Sequence, residues 1–384
     1  MLASEPHDAH DSIDLGGTIR QCRPEETLKR IEPLFSEIGI TRIANVTGLD
    51  NIGIAVSVAI RPLSRSLSVS QGKGLTQALA DVSAAMETIE HYHSEYPPEP
   101  EFTGSYGGLK QHYDLVDPRS LPPGGFPGGF ELHNLITPWL KGTNLITDKP
   151  FYVPSYVCNL DTSINLKERL AVACTSNGLA SGNTMAEATL HALYEAIERD
   201  ATATPERGNE IDIDTIDGPA SGLIQRFKKA AIRVQVWEQP TEIGIPVYRC
   251  VISAEGALRG LVPFGGFGAH LSRQIALCRA LTEAAQSRLT IISGSRDDTY
   301  PSDYARFRLE AGSGVPATTS GIKPLQDCPT IELESSLEAN LLQVLEILRS
   351  RGYEEVVAVD MSKPSIGIPV VSIVIPGLKH IPDH

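Results

Sequence analysis

The start of the chain, MLASEPHDAHDSIDL, lacks the basic segment followed by an apolar one that marks a secretory signal. Nowhere does an apolar run approach the roughly 20 residues that a membrane-spanning helix needs. The six cysteines (Cys22, Cys158, Cys174, Cys250, Cys278, Cys328) are scattered, with no CxxC and no Cys/His spacing, which argues against a zinc site. They read as buried or incidental thiols in a reducing cytoplasm. There is no G-x-x-x-x-G-K-[ST], so a P-loop is excluded. Basic residues are also in deficit: 33 Lys and Arg against 47 Asp and Glu give a net charge of -14, which argues against binding nucleic acid through its phosphates. What is present is an acidic globular chain of 384 residues, 41% hydrophobic and 21% charged, long enough for one large or two ordinary domains.

Residues 1–15 are polar and rich in His and Asp and read as a disordered segment; 16–384 read as the folded domain. RPEETLKRIEPLFSEIGI has a Pro just inside a helix start and ends at a glycine. TRIANVTGLD and IGIAVSVAIRP read as two strands joined by a turn. LSRSLSVSQGKG leads into the helix LTQALADVSAAMETIEHYHSE, which two prolines terminate. From there to about Leu132 the chain reads as an irregular excursion, with strands resuming at PFYVPSYV. VQVWEQPTEIGIPVYRCVIS supplies two strands, GGFGAHLSRQIALCRALTEAAQSRLTIIS a glycine-led helix, and the C-terminal part the helix SLEANLLQVLEILRSRG and the strands YEEVVAVDMS and IPVVSIVIPGL. Helices and strands interleave, so the class is α+β or mixed α/β, with sheet order unread.

The segment GNTMAEATLHALYEAIERDA is a helix with unusual charges. At about 100° per residue, Ala186, Leu190, Leu193 and Ile197 form one apolar stripe, and Ala188, Ala192 and Ala196 a small-residue face. Between them Asn183, Glu187, Glu195 and Glu198 fall within roughly 120° of arc, with Arg199 at the edge. A solvated stripe would alternate signs at i+4. Thr184 with Glu187 fits a capping box, and Glu195 and Glu198 also suit a solvated edge. Crowded carboxylates on a covered helix need a compensating cation or donors, and Mg2+, held by carboxylate oxygens and substrate phosphates, is the natural one.

Two other helices echo this pattern. SAAMETIE carries Ser83, Glu87 and Glu90, and RALTEAAQSR carries Glu283, Gln286 and Arg288. Upstream, QGKG sets Lys73 between glycines, a flexible basic segment suited to phosphate. The loop TSNGLASGNT, either a plain tight turn or an anion site, precedes a helix N-terminus. Acids for metal, glycine loops for phosphates and isolated bases together make a nucleotide–Mg2+ site.

These segments resemble the YcaO family: SNGLASGNTMAEATLHALYEAIERDA, GKGLTQALADVSAAMETIEHYHSE and TGLDNIGIAVSVAIRP carry the likeness, which extends from about Gly16 to Leu378 with core motifs over 68–380. The resemblance implies a YcaO-type mixed architecture of sheet–helix subdomains around a non-P-loop ATP and Mg2+ site. Carried over by motif, Glu87, Glu90, Glu187, Glu195, Glu198 and Glu283 are implied metal ligands. Arg20, Thr27, Ser83, Asn183, Arg199, Gln286 and Arg288 are implied nucleotide contacts, Arg20 and Thr27 from GTIRQCRPEET; Lys73 joins them as a candidate phosphate contact from the QGKG segment itself.

The family's chemistry activates a peptide backbone amide: a nucleophile adds, the amide oxygen is phosphorylated, and phosphate leaves. No enzyme nucleophile is required, and no catalytic side chain is assigned. With an external sulfur source the product is a thioamide; with a neighbouring Cys, Ser or Thr it is an azoline. Azoline-forming members often end in Pro-x-Pro-x-Pro, whereas this chain ends PGLKHIPDH and carries no fused leader-binding domain. The first expectation is therefore a standalone thioamide-forming enzyme acting on a ribosomally made peptide or protein, with a TfuA-like or leader-binding partner, as a cytoplasmic homodimer without nucleic acid or membrane. The alternatives are an azoline-forming cyclodehydratase with a separate partner, and an ATP-binding accessory factor for ribosomal-protein methylthiolation. His380 and His384 are candidate bases near the peptide.

Overall fold

The computed structural model describes residues 12–122, 131–164, 174–203, 207–254, 263–295 and 321–379. In chain order the elements are β1 (Ile13–Asp14), β2 (Ile19–Arg20), α1 (Pro24–Ile31), α2 (Phe35–Ile38), β3 (Arg42–Asn45), β4 (Ala55–Ile60), β5 (Val69–Gly74) and α3 (Gln77–Glu95). There follow β6 (Phe102–Ser105), α4 (Tyr106–Leu109), β7 (Ile136–Asn144), β8 (Lys149–Pro154), β9 (Leu179–Ser181) and α5 (Met185–Thr202). The chain continues through β10 (Glu210–Ile211), α6 (Gly218–Lys229), β11 (Ile232–Glu238), β12 (Val247–Ala254), β13 (Phe264–Ala269) and α7 (Arg273–Ser293). It closes with β14 (Ile322–Lys323), α8 (Leu337–Ser350), β15 (Val357–Asp360) and β16 (Val370–Val374). Among the described residues no helix is long and apolar enough to cross a membrane.

Contacts divide the chain into two compact units, one of Met1–Ser12, Ile89–Ala203 and Glu334–His384, the other of Ile13–Thr88 and Thr204–Leu333. In the first, β6, β7, β15, β16 and β9 form a sheet in that order, with β8 also paired to β7 and every neighbour antiparallel. The run of β16 is buried throughout, and in β15 Val357 and Val359 are buried while Asp360 is exposed at the strand's end. Helix α5 packs on β16 and β9 and against α8. Both of its small and apolar faces are buried, Leu193 and Ile197 completely, each contributing about 2 kcal/mol of hydrophobic stabilisation.

In the second unit a five-stranded sheet runs β13-β12-β11-β10-β14, antiparallel except where β10 meets β14, and a three-stranded antiparallel sheet runs β3-β4-β5. The larger sheet and helices α6 and α7 enclose a core that includes Ile224, Phe227, Val236, Cys250, Ile252, Leu277 and Leu281. Pro24 opens α1 at its first turn, and Gly39, at φ 88, ends α2 as the sequence predicts.

Four expectations differ from the structure. QGKG is not a flexible loop: it is the end of β5, paired through Gln71, Gly72, Lys73 and Gly74 with β4. A Cβ on Gly72 would lie 2.1 Å from both Ala80 O and Ala84 N, so this glycine lets the strand backbone meet α3 directly. The glycine lead of α7 is likewise strand β13, where a Cβ on Gly266 would lie 2.2 Å from Ala284 N and one on Gly268 2.1 Å from Ala276 O. The excursion read as irregular contains β6, and β7 forms ahead of PFYVPSYV, because both are recruited by partners distant in sequence. At the N-terminus, Ile13 and Asp14, within the segment read as disordered, pair with Arg20 and Ile19.

Candidate functional site

The acids of α5 are positioned by its first turn. The Thr184 hydroxyl accepts the Glu187 amide at 3.1 Å, so the cap is made through the backbone while the Glu187 carboxylate faces Asn183 Nδ2 at 3.3 and 3.4 Å. Gly182 permits this tight turn, since a Cβ there would meet Ala188 N at 2.5 Å. Glu187 and Glu198 are only 4% and 3% exposed, which removes the solvated-edge reading for Glu198. Glu195 and Arg199 are half-buried, and Arg199 Nη2 lies 3.9 Å from Glu198 Oε1. In the same unit Glu90, from α3, accepts at Oε1 both the Ser181 amide at 2.8 Å and the Ser181 hydroxyl at 2.7 Å. That contact aims a carboxylate of one acidic helix at the strand leading into another.

In the other unit the structure joins two residues that the sequence offered separately. Lys73 Nζ on β5 donates to Glu283 Oε2 on α7 at 2.8 Å, and the Phe267 amide donates to Glu283 Oε1 at 3.3 Å. Ser83 and Glu87 are half-buried on α3, as is Gln286 on α7. Arg288 pairs with Asp50 at 2.7 Å, the two side chains 11% and 4% exposed. Thr27 is buried and its hydroxyl donates to Arg23 O at 3.3 Å, a bond internal to the start of α1. Arg20 lies on β2, close enough to His270 that, after burial and the charge of Arg279, it helps to lower that imidazole to about 3. His380 and His384 lie outside the described residues.

The sequence reading missed Ser181 and Asp50 as partners of the acids and bases. Asp50 stands in the TGLD stretch already singled out, but a turn aspartate carries no mark of its remote arginine. Because the Asp50–Arg288 pair is nearly buried, Asp50→Asn is expected to lower stability by about 3 kcal/mol, leaving a guanidinium poorly solvated and unpaired. Urea unfolding measures this, and a loss below about 1 kcal/mol, the range of surface pairs, would show that the pair is effectively solvated.

The remaining titratable groups suit a structural role. Burial holds the His93 imidazole of α3 down to about 4 while its Nδ1 lies 2.7 Å from Ile89 O. Burial pushes the Cys158 thiol up to about 11 and Cys278 up to about 12, so neither is a thiolate near neutrality. None of the six cysteines, all within the described residues, forms a disulfide.

The family model described as YcaO cyclodehydratase, ATP- and Mg2+-binding, matches residues 71–379. The chain therefore belongs to the YcaO family, and it has the mixed α/β fold of that family. An uncharacterized protein of Methanothermobacter thermautotrophicus is 34% identical over 372 residues, covering 93% of this chain and 94% of its own length. A protein of the tfuA 3' region of Rhizobium leguminosarum bv. trifolii is 33% identical over 383 residues, covering 94% and 88%. Among solved structures, YcaO from Methanopyrus kandleri bound with AMPPCP and Mg2+ matches with a TM-score of 0.76 and 24% identity, over 96% of this chain and 94% of that one.

ATP and Mg2+ are thus the cofactors of the family, and the donor set can be weighed against them. Among the described residues no three His, Cys, Asp or Glu side chains stand together as a ready cage for a metal ion. Mg2+ that arrives with a nucleotide needs only one or two protein carboxylates and takes its other oxygens from phosphates and water. The buried Glu187 and Glu198, hard oxygen donors on one helix face, fit that demand.

Proposed function

We propose that this chain uses ATP and Mg2+ to activate a peptide backbone amide and replaces its oxygen, which leaves as phosphate, with sulfur from an external sulfide-level donor, working on a ribosomally made peptide or a protein. The observation that carries the reading is the burial of Glu187 and Glu198 on one face of α5, in a chain of a family described as ATP- and Mg2+-binding. ATP supplies the γ-phosphoryl group that converts the amide oxygen into a leaving phosphate.

The chain's own residues bind and orient. Glu87 and Glu90 on α3, Glu187, Glu195 and Glu198 on α5, and Glu283 on α7 are the proposed Mg2+-holding carboxylates. Ser83, Asn183, Arg199 and Gln286 are the proposed nucleotide contacts, with Arg20, Lys73 and Arg288 supplying positive charge. The partners of Lys73 and Arg288 give these two bases fixed positions, and Thr27, at the start of α1, is a further proposed nucleotide contact. Residues 16–384 are proposed to serve as one catalytic domain, in a cytoplasmic homodimer. The tfuA-region relative supports the sulfur reading and a TfuA-like partner. The family's cyclodehydratase description favours a second reading, ring closure to an azoline.

The first test is calorimetric titration of the purified chain with a non-hydrolysable ATP analogue, with and without Mg2+, beside Glu195→Ala. Magnesium-dependent binding that the variant loses is the expected result; binding indifferent to Mg2+ would remove the acidic helix from the nucleotide site. Mass spectrometry of a modified peptide then separates the chemistries. Exchange of oxygen for sulfur supports the first reading, and loss of water supports the second.

A further inference from the structure

Ser181 is the last residue of β9, and the sheet fixes that strand end. Its partner on β16 is Val370, and the next residue, Gly182, donates its amide to Pro369 O at 3.1 Å. Asn183 follows, then Thr184, which caps α5, and then Glu187 in the first turn of the helix. Whatever Ser181 holds is therefore held in a fixed place relative to the acids of α5.

What it holds is one oxygen of α3. The Ser181 amide and hydroxyl both donate to Glu90 Oε1, at 2.8 and 2.7 Å. Ser181 is 3% exposed, and a buried strand end does not call for a hydroxyl: an apolar side chain would suit the strand better and leave no polar group to satisfy. The backbone bond needs no serine. A single donor lets a glutamate side chain swing about it, whereas two donors converging on Oε1 occupy both of its lone pairs and select one orientation of the carboxylate. The hydroxyl distance is that of a charge-assisted bond, about 2.5–2.7 Å. Carboxylates that hold a metal ion are commonly oriented by such partners.

We propose that Ser181 is a positioning residue, whose hydroxyl sets the Glu90 carboxylate of α3 against the Asn183–Glu187 turn of α5 for Mg2+. The inference rests on the reading of Glu90 as a Mg2+-holding carboxylate.

The test is calorimetric titration of the full chain with a non-hydrolysable ATP analogue over a series of Mg2+ concentrations, for the wild type, Ser181→Ala, Ser181→Thr and Glu90→Gln. Ser181→Ala keeps the amide bond and loses the hydroxyl. It is expected to raise the half-saturating Mg2+ concentration by about tenfold or more, the range for loss of a ligand's partner, and Ser181→Thr, which keeps the hydroxyl, to restore most of it. At saturating Mg2+ the analogue should bind Ser181→Ala as it binds the wild type. A merely structural serine would instead weaken the analogue at every Mg2+ concentration, and that result would overturn the proposal. Thermal melting without ligand checks folding; if the alanine variant does not fold, Ser181→Cys, close in size and a weak donor, replaces it. An unchanged Mg2+ dependence in the folded variant overturns the proposal and leaves the nucleotide reading standing. Glu90→Gln without effect overturns it as well, since no ligand would be there to position. Nucleotide binding by the wild type that ignores Mg2+ removes the reading and the proposal together, an outcome seen before any variant is compared.

Discussion

Glu198→Gln is expected to abolish magnesium-dependent nucleotide binding while shifting the melting temperature of the nucleotide-free chain by less than about 3 °C, the equivalent of roughly 1 kcal/mol for a domain of this order. Glu198 is 3% exposed, and the Arg199 guanidinium stands 3.9 Å away at the outer limit of an ion pair. If the carboxylate served only Arg199, its neutral isostere would cost little, because Arg199 is 28% exposed and water can solvate it. Nucleotide affinity would then be unchanged. If it holds Mg2+, losing its charge should cost more than the roughly 10–100-fold typical of an outer-shell change. A thermal shift measured with Mg2+ and an ATP analogue reads both quantities together, since a ligand at 100 times its dissociation constant stabilises by about 2.7 kcal/mol. A variant that keeps the full magnesium-dependent shift would show that Glu198 is not a metal ligand.

The acidic helices were legible because helical period, apolar stripe and charge imbalance are all local. α3, α5, α7 and α8 fall where the sequence puts them, as do the strand pairs β3–β4, β11–β12 and β15–β16, whose β-branched runs are bounded by turn residues. The strands that lie against those helices were not legible. In β5 and β13 the glycines of QGKG and GGFG signal a loop by every local measure, yet they are strand residues chosen for close approach. In β7, Pro138 and Gly142 obscure a strand that pairs with β6, β8 and β15. α6, opening with Gly218 and Pro219, went unread for the same reason. Site pairings such as Lys73 with Glu283 and Arg288 with Asp50 join residues hundreds of positions apart, and no spacing rule reaches that far. Family resemblance named Glu283 and Arg288, and the QGKG segment offered Lys73, but neither said what these residues touch.

Gly72→Ala is expected to destabilise the chain by about 3 kcal/mol or more, the upper range for forcing atoms into a packed interior. Its Cβ would meet two backbone atoms of α3, Ala80 O and Ala84 N, each at 2.1 Å, and a helix backbone cannot turn aside as a side chain can. Strand β5 is held on its other edge by six consecutive residues paired to β4, so the helix is the part that must move. Such a movement acts on the site as well. Ser83 and Glu87 flank Ala84 on α3, while Lys73, adjacent to Gly72, is fixed on β5, so the methyl group should weaken magnesium-dependent nucleotide binding even at temperatures where the variant stays folded. The same clamp recurs in the order Gly268, Ala276, Ala280, Glu283, matching Gly72, Ala80, Ala84, Glu87. An acid thus follows each glycine at the same offset, and the close approach fixes how far each carboxylate stands from its strand. Gly48→Ala is the control: nothing lies within 4 Å of its added Cβ, and it should change stability by no more than about 0.5 kcal/mol. Should urea unfolding find Gly72→Ala as mild as Gly48→Ala, α3 rides farther from β5 than these contacts require. The glycine spacing would then have no part in setting the acids.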